Sequence, residues 1–158
     1  MNLKLLRGFK IQIHIIKKGS LTMGTRKEHD FIGELEISDD VYYGVQTFRA
    51  LDNFQMSGRR LKNYPFFIKA FAQIKKAAIL ANKEVGVLDS TKADALAKAA
   101  DRLIQGEFLE QFVVDMIQGG AGTSTNMNVN EVLTNIALES MGHKKGEYQF
   151  LHPNDHTN

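Results

Sequence analysis

The sequence predicts a mainly α-helical protein with a small, loop-rich cap that contains short extended pieces. Residues 65–86 and 90–106 place apolar side chains at three- and four-residue intervals, which is the spacing of amphipathic helices. A third helical stretch follows a glycine-rich segment and runs to Gly142. Residues 31–54, in contrast, mix extended pieces with turns. Helices packed on one another, with the mixed segment as a cap, are therefore the expected architecture.

The composition excludes several classes of function. The chain has 158 residues, of which 43% are hydrophobic and 24% charged, as in ordinary globular proteins. Its formal net charge of +2 does not favour a nucleic-acid or membrane-surface partner. The absence of Cys excludes disulfides, thiol nucleophiles and cysteine-based metal centres. No apolar run approaches the roughly 18 residues that a membrane-spanning helix needs.

The first 22 residues differ from the rest of the chain. They carry five basic residues and no acidic one, interleaved with Leu and Ile. Charged and polar residues interrupt the apolar stretch, and no small-residue cleavage pattern follows it, so a signal peptide is not favoured. We interpret residues 1–22 as a basic extension outside the fold, with Met23 as a hypothetical start. An arm that binds a membrane surface or nucleic acid is the alternative.

The non-helical parts are predicted from short patterns. Ile32-Gly33 and the stretch 35–37 suit short extended pieces, and residues 39–44 suit a turn or a single helical turn. Residues 107–118 stay ambiguous. The adjacent Val113 and Val114 favour an extended segment there, while a helix also fits.

Two helices are predicted in the middle of the chain. The first opens at Asn63-Tyr64-Pro65, since Pro is tolerated in a first turn, and ends at Gly86. Its predicted buried face consists of Phe67, Ala70, Phe71, Ile74, Ala77, Ala78 and Ala81. The Lys residues of this helix lie outside that face. The second is capped by Asp89 or Ser90 and closed by Gly106. Its buried stripe consists of Ala93, Leu96, Ala97, Ala100, Leu103 and Ile104. The short connection predicts an antiparallel pair.

The segment 118–128, QGGAGTSTNMN, is the most informative for function. Three glycines within four positions free the backbone, and the hydroxyls of residues 123–125 can cap the helix that follows. A helix N-terminus after such a loop suits an anion. No Lys stands inside the segment, which argues against a P-loop and favours a carboxylate over a triphosphate. An ordinary capped turn fits equally well. Further along this helix, Glu131 and Glu139 are interpreted as solvated or paired.

A second polar cluster, HPNDHTN, occupies residues 152–158. Two His four residues apart share a metal ion on some helices. Here Pro153 stands between them and no carboxylate-rich partner segment is visible, so we expect no metal site. A loop that hydrogen-bonds its own backbone is predicted instead.

Three stretches carry a family resemblance. They are RxExDxxG at 26–33 running into YYGVQTFRA at 42–50 and NF at 53–54, then QGGAGTSTNMNVNEV at 118–132, and GEYQFLHPNDHTN at 146–158. Through them the chain, from about Arg26 onwards, resembles the N-terminal portion of the aspartase/fumarase superfamily. The middle stretch discriminates within it. Fumarases typically have SGTQ where this chain has AGTS at 121–124, so the chain resembles the aspartase branch.

The resemblance implies a fold and a domain division. Residues 23–142 are expected to form the N-terminal domain of the superfamily fold, and residues 143–158 the start of its central helical domain. Superfamily members continue with a Ser-Thr-Asn segment, a long helical domain and a flexible loop that supplies the catalytic serine. None of these has a counterpart in this sequence. We therefore expect an N-terminal fragment that has no catalytic residue of its own and is inactive alone.

The resemblance also implies an activity, the reversible anti elimination of ammonia from L-aspartate to give fumarate. Thr123 aligns with a threonine that contacts the β-carboxylate of the substrate. The substrate-binding residues implied are Thr123, Ser124 and Asn126, and a secondary dicarboxylate site known in fumarases aligns with His152, Asn154 and Asp155. The complete enzyme is expected to be a cytoplasmic homotetramer that needs no cofactor, although a divalent metal activates some members. No nucleic-acid or membrane partner is expected.

Two alternatives stay open. The chain fits a fumarase or another superfamily lyase, although the AGTS tetrapeptide argues against a fumarase. The alternative of a different class is a non-catalytic helical module that binds a carboxylate or a partner lyase subunit.

Overall fold

The computed structural model describes residues 24–158, so the predicted basic extension at 1–22 lies outside the described residues. In chain order the elements are β1 (Thr25–Asp30), β2 (Gly33–Ser38), α1 (Val45–Asn53), α2 (Pro65–Glu84), α3 (Ser90–Gln105) and α4 (Thr123–Ser140), with short 3-10 turns at Leu61–Asn63 and Leu109–Gln111. The predicted mainly α-helical fold with a small cap is confirmed.

The cap contains an antiparallel hairpin of β1 and β2. The Oδ1 atom of Asp30 accepts hydrogen bonds from the N–H groups of Ile32 and Gly33 and closes the turn. The predicted extended piece at 35–37 is confirmed, whereas Ile32 lies in the turn. The sequence does not predict β1, because its residues TRKEHD lack apolar alternation. Arg49 of α1 pairs with Asp30 at 2.8 Å and joins the helix to the hairpin.

The helix α1 occupies a segment predicted to be loop-rich, and that prediction is wrong for Val45–Asn53. Its N-cap residue, Gly44, has no side chain that could bond the free amides of the first turn. Glu131 of α4 bonds them instead. Its carboxylate accepts from the N–H groups of Gly44 at 2.9 Å, Gln46 at 2.8 Å and Thr47 at 3.1 Å. Because this cap comes from another helix, the local sequence carries no start signal.

Glu131 is buried between α1 and α4, with 1% of its surface exposed, so its interpretation as solvated or paired is wrong. Burial raises its pKa to about 7, the nearby carboxylate of Glu28 adds to the rise, and the backbone amides oppose it. Glu139, in contrast, is paired as expected. It accepts a hydrogen bond from the hydroxyl of Tyr42 at 2.5 Å and lies 3.6 Å from the ammonium of Lys145.

The bounds of α2 agree with the prediction, but its buried face does not. Most of the predicted face is exposed, including 65% of Ile74. The residues that α2 buries are Ile68, Ala72, Lys75 and Ile79. Apolar side chains occur around much of this helix, so its contacts with α3 and α4 decide which of them are covered.

The prediction for α3 is confirmed at both ends. The side chain of Asp89 accepts from the N–H groups of Thr91 at 2.9 Å and Lys92 at 3.1 Å, and Gly106 closes the helix with a φ of 96°. Its predicted stripe is buried except for Ile104, which is half-buried. The helix packs against both α2 and α4.

The ambiguous segment 107–118 begins with a turn and the 3-10 turn Leu109–Gln111, and it continues irregularly with one isolated β-bridge between Asp115 and Arg60. It runs alongside residues 59–62, with hydrogen bonds from the N–H of Leu61 to the carbonyl of Val114 and from the N–H of Lys62 to that of Phe112. This pairing leads the chain into the glycine-rich loop. The extended alternative fits residues 112–116 only, and no α-helix forms within residues 107–118.

The helix α4 lies at the centre of the fold, and every residue from 127 to 138 is buried. Residues 143–158 fold back onto it. The Oδ1 atom of Asn135 accepts from the N–H of Gly146 at 2.8 Å, and the hydroxyls of Thr134 and Thr157 lie 2.7 Å apart. The division into domains at 142/143 stays a prediction. Within residues 24–158 no helix has the length and apolar character to cross a bilayer.

Candidate functional site

The glycine-rich loop turns the chain sharply into α4. Gly120 has a φ of 70° and Gly122 a φ of 84°, a region that residues with a side chain rarely adopt. The predicted helix after the glycines is confirmed, and it begins at Thr123 with Gly122 as its N-cap. No hydroxyl of the Thr-Ser-Thr sequence caps the helix, so that part of the prediction is wrong.

The side chain of Gln118, rather than a hydroxyl of residues 123–125, accepts a hydrogen bond from a free amide of α4. Its Oε1 atom accepts a hydrogen bond from the N–H of Thr125 at 2.8 Å, and its Nε2 atom donates to the hydroxyl of Thr125 at 2.7 Å. The same Nε2 atom donates to the carbonyl of Asp115 at 3.0 Å. One carboxamide therefore joins both ends of the glycine-rich loop and satisfies one of the free amides of α4.

Asp115 fixes the start of this loop. Its carboxylate accepts from the N–H and hydroxyl of Ser57 and from the N–H groups of Gly58 and Ile117, at 2.6 to 3.0 Å. These donors, the Ser57 hydroxyl foremost, lower the pKa of Asp115 to about 2. The carboxylate thus stays ionised at neutral pH and holds residues 57–58 against the loop.

The first turn of α4 presents donors that nothing in residues 24–158 uses. The N–H groups of Thr123 and Ser124 have no acceptor within the described part of the chain. Thr123 is exposed and Ser124 half-buried. Both amides lie at the positive end of the helix dipole, where a carboxylate is favoured.

A groove of about 590 Å³ lies beside this turn. Its polar lining comes from Gln118, the glycine-rich loop, Thr125 and Asn126, and its apolar lining from Leu61, Phe67, Phe71 and Met116. A groove with both polar and apolar lining suits a small ligand that carries an anionic group.

The C-terminal candidates form a separate turn. The Nδ1 atom of His152 accepts from the N–H of Asn154 at 3.2 Å and lies 3.4 Å from the carboxylate of Asp155. His156 accepts the N–H of His152 on Nδ1 at 2.8 Å, and its Nε2 lies 2.9 Å from the ammonium of Lys92. Burial and this ammonium lower the pKa of His156. Residues 24–158 contain no group of three or more His, Asp and Glu placed to hold a metal ion.

One contact connects the two candidate regions. The Nδ2 atom of Asn126 donates to the Oδ1 atom of Asn158 at 2.9 Å. In the described chain no hydrogen bond or ion pair joins Thr123 or Ser124 to the C-terminal candidates His152, Asn154 and Asp155. The structure therefore brings Thr123, Ser124 and Asn126 to one helix end and leaves the other three apart.

Sequence reasoning missed three polar residues of this region. Gln118 was part of the recognised segment, but it follows no local capping pattern because it acts from seven residues away. Asn130 and Lys75 are both buried beside Asn126 and Asn158. Lys75 continues the row of buried residues Ile68, Ala72 and Ile79 at helical spacing, but only the fold shows that this row is the buried one.

The chain is similar to several known lyases. Residues 33–158 match a family whose description is lyase. The aspartate ammonia-lyase of Helicobacter pylori is 63% identical over 133 residues, which is 84% of this chain and 28% of that protein. The aspartate ammonia-lyase of Escherichia coli is 50% identical over 134 residues, again 84% and 28%. The chain thus spans about 28% of the length of the curated relatives it matches.

The chain is also similar to solved structures of lyases. The fumarate lyase:delta crystallin of Brucella melitensis superposes with a TM-score of 0.84 at 49% identity, covering 85% of this chain and 29% of that one. The class II fumarase of Schistosoma mansoni superposes with a TM-score of 0.78 at 35% identity, covering 85% and 28%. The sequence resemblance is confirmed, and the chain belongs to this lyase family.

Proposed function

We propose that this chain is part of an aspartate ammonia-lyase and supplies one wall of the site that binds L-aspartate and fumarate. The observation that carries the proposal is the first turn of α4, where two free amides and two hydroxyls follow a glycine-rich loop. The similarity to aspartate ammonia-lyases over 84% of the chain supports the choice of reaction. The AGTS tetrapeptide at 121–124 favours that reaction over hydration of fumarate.

The elimination requires stabilisation of a developing negative charge, which the donors at the first turn of α4 can provide. Removal of the C3 proton from L-aspartate places extra negative charge on the β-carboxylate, and the C–N bond then breaks to release ammonia and leave fumarate. Donors that already point at the place where charge develops stabilise such an intermediate without reorganisation. The amide and hydroxyl of Thr123 are proposed to bind the β-carboxylate, with Ser124 beside it. Asn126 is proposed to assist in substrate binding from the same turn, where its Nδ2 atom donates to the Oδ1 atom of Asn158 in the unliganded chain.

Other parts of the complete enzyme are needed for chemistry. The proton-abstracting serine of the family has no counterpart in residues 1–158, so this chain by itself is proposed to bind but not to convert substrate. The complete protein is proposed to act as a homotetramer in the cytoplasm. It is proposed to need no cofactor, with a divalent metal acting at most as an activator.

His152, Asn154 and Asp155 are proposed to form a secondary dicarboxylate site. Asn154 and Asp155 are exposed, and the half-buried ring of His152 lies against both. The nearby carboxylate of Asp155 repels an anion at neutral pH. Binding at this turn is therefore expected to be weaker than binding at the first turn of α4.

The experiment that tests the function starts from the gene. The DNA downstream of the Asn158 codon is read, any continuing frame is expressed, and the product is assayed for release of fumarate and ammonia from L-aspartate. Activity is the expected result. Thr123→Val should lower kcat/KM by about 100-fold because it removes a donor to the developing charge. The matched control is Thr91→Val, since Thr91 is an exposed residue in the first turn of α3, away from the groove.

Two results contradict the proposal. One is a longer product that hydrates fumarate to a hydroxy acid but does not release ammonia from L-aspartate, which is the outcome expected of a fumarase. The other is an ammonia-lyase whose kcat/KM is the same in wild type, Thr123→Val and Thr91→Val.

A further inference from the structure

Lys75 carries a positively charged group at a buried position. It lies on the buried face of α2, and only 8% of its surface is exposed. No carboxylate lies within 4.0 Å of its ammonium group among residues 24–158. A buried ammonium is costly unless an opposite charge accompanies it. Burial accordingly lowers the pKa of Lys75.

Three donors converge on one oxygen next to this ammonium. The Oδ1 atom of Asn158 accepts from the Nδ2 atom of Asn126 at 2.9 Å, from that of Asn130 at 3.3 Å, and from the Nζ atom of Lys75 at 3.5 Å. A neutral amide oxygen offers two lone pairs. A carboxylate oxygen carries charge as well, and it is the better acceptor for a donor set that includes an ammonium.

Asn130 provides an independent sign that the cluster is incomplete. Its side chain is fully buried, and its Oδ1 atom has no hydrogen-bond partner among the described residues. Buried amide oxygens are nearly always bonded, to protein or to a bound molecule. This oxygen accepts and does not donate, so it needs a donor such as a bound water, which a carboxylate cannot supply. The groups that suit a carboxylate are therefore the N–H donors described above, and the unpaired oxygen calls for a further donor beside them.

The cluster adjoins the groove beside the glycine-rich loop. Asn126 lines that groove and also donates into the cluster. Phe71, which also lines that groove, precedes Lys75 by one turn of α2. A small molecule in the groove is thus next to the donors of the cluster.

We propose that Lys75, Asn126 and Asn130 form a carboxylate-binding site, in which one carboxylate oxygen of a small dicarboxylic acid takes the position that the Asn158 amide oxygen holds. The choice of a dicarboxylic acid rests on the proposed function, whereas the place of the site rests on the cluster alone. One cation among neutral carboxamides matches the single charge of a carboxylate. A phosphate dianion finds only one opposite charge here.

The direct test uses the wild-type 158-residue chain. Its lysine side chains are labelled with ¹³C and ¹⁵N, and the Lys75 signals are followed by NMR while fumarate is added at constant ionic strength. The expected result is a saturable shift of the Lys75 signals together with a rise in its pKa. Fumaramide, which has the same shape without charge, should leave the signals in place. Unchanged Lys75 signals at fumarate concentrations that saturate the chain elsewhere overturn the inference. So does an equal, saturable response to inorganic phosphate.

Variants give a second readout. Lys75→Met should weaken fumarate binding, measured by calorimetry, by about tenfold or more, because a charge-assisted hydrogen bond is lost. The matched control is Lys76→Met, since Lys76 is the neighbouring residue and pairs with Asp101 at 2.6 Å. Circular dichroism checks that both variants are folded. Equal affinity in Lys75→Met and Lys76→Met contradicts the proposed site.

The outcomes separate this inference from the proposed function. If Thr123→Val abolishes fumarate binding and Lys75→Met does not, the inference fails and the site at the first turn of α4 stands. If Lys75→Met abolishes binding and Thr123→Val has no effect, the carboxylate site at Lys75 stands and the role proposed for Thr123 fails.

Discussion

The carboxylate of Glu131, in the middle of α4, accepts a hydrogen bond from the backbone N–H of Gly44 at 2.9 Å. Further bonds to Gln46 and Thr47 make the same carboxylate the cap of α1. The hairpin is also joined to the start of α1, because Glu28 of β1 accepts a hydrogen bond from the N–H of Val45 at 2.9 Å. The β1–β2 hairpin and α1 are thus held to the central helix α4 by buried carboxylates as well as by apolar packing.

Replacing Glu131 with Gln should destabilise the protein by about 2 kcal/mol, because the new NH₂ group cannot accept the backbone N–H bonds that one carboxylate oxygen accepts. Urea unfolding above pH 7, where the ionised carboxylate is the main form, measures the change in the free energy of unfolding. Glu139→Gln is the control, since Glu139 lies on the same helix and is exposed. If the two variants lose equal stability, the proposed cap of α1 is wrong.

The raised pKa of Glu131 predicts a pH dependence of stability. The folded chain, with a pKa of about 7 at this residue, holds the proton more tightly than the unfolded chain, with 4.5. The free energy of unfolding should therefore fall as pH rises from the lower to the higher pKa, by up to about 1.4 kcal/mol per pH unit. Urea unfolding of wild type and Glu131→Gln across this range isolates the effect as their difference. A difference that does not change with pH excludes it.

Gly44 is expected to tolerate no side chain. A Cβ atom there would lie 2.5 Å from the hydroxyl of Tyr148 and 3.0 Å from the carboxyl carbon of Glu131. Gly44→Ala should therefore cost about 2 kcal/mol or more in thermal or urea unfolding. Gly58→Ala is the comparison. Its Cβ meets no atom within 4 Å, so only its positive φ of 67° opposes the change, at about 1 kcal/mol. A smaller loss at Gly44 than at Gly58 contradicts the buried contact.

Gln118→Ala should loosen the start of α4. The variant loses the bond to the N–H of Thr125, which is comparable to losing a helix cap, at about 1 kcal/mol. Hydrogen exchange at the Thr125 amide should accelerate more than exchange in the rest of α4. Gln73→Ala, at an exposed position of α2, is the control. Unchanged exchange at Thr125 in Gln118→Ala shows that another group holds this turn.

The sequence predicts an element well where its signals are local. For α3, Asp89 caps one end and Gly106 closes the other, and both act within their own turn. For α1 the capping group is 87 residues from the amide it bonds, so no window of sequence around Gly44 contains it. The bounds of α2 are local and were predicted, whereas its buried face depends on where α3 and α4 lie.

The candidate site likewise has features that follow from the local sequence and features that depend on tertiary contacts. The glycine-rich loop and the helix start at Thr123 follow from neighbouring residues. The burial of Lys75 does not, because the Asn side chains around it come from α4 and from the C-terminal turn. On a helix that also carries Lys69, Lys76 and Lys83, this Lys is distinguished only by tertiary contacts.

The first turn of α4 is proposed to bind a carboxylate, and an NMR titration of the ¹⁵N-labelled chain with fumarate tests this. Saturable shifts of the Thr123 and Ser124 amides are expected, and fumaramide should cause no such shifts. The amides of Thr91 and Lys92 should not shift either, because Asp89 already accepts their hydrogen bonds at the start of α3. If the Thr123 and Ser124 amides do not move, or respond equally to fumaramide, this turn does not bind a carboxylate.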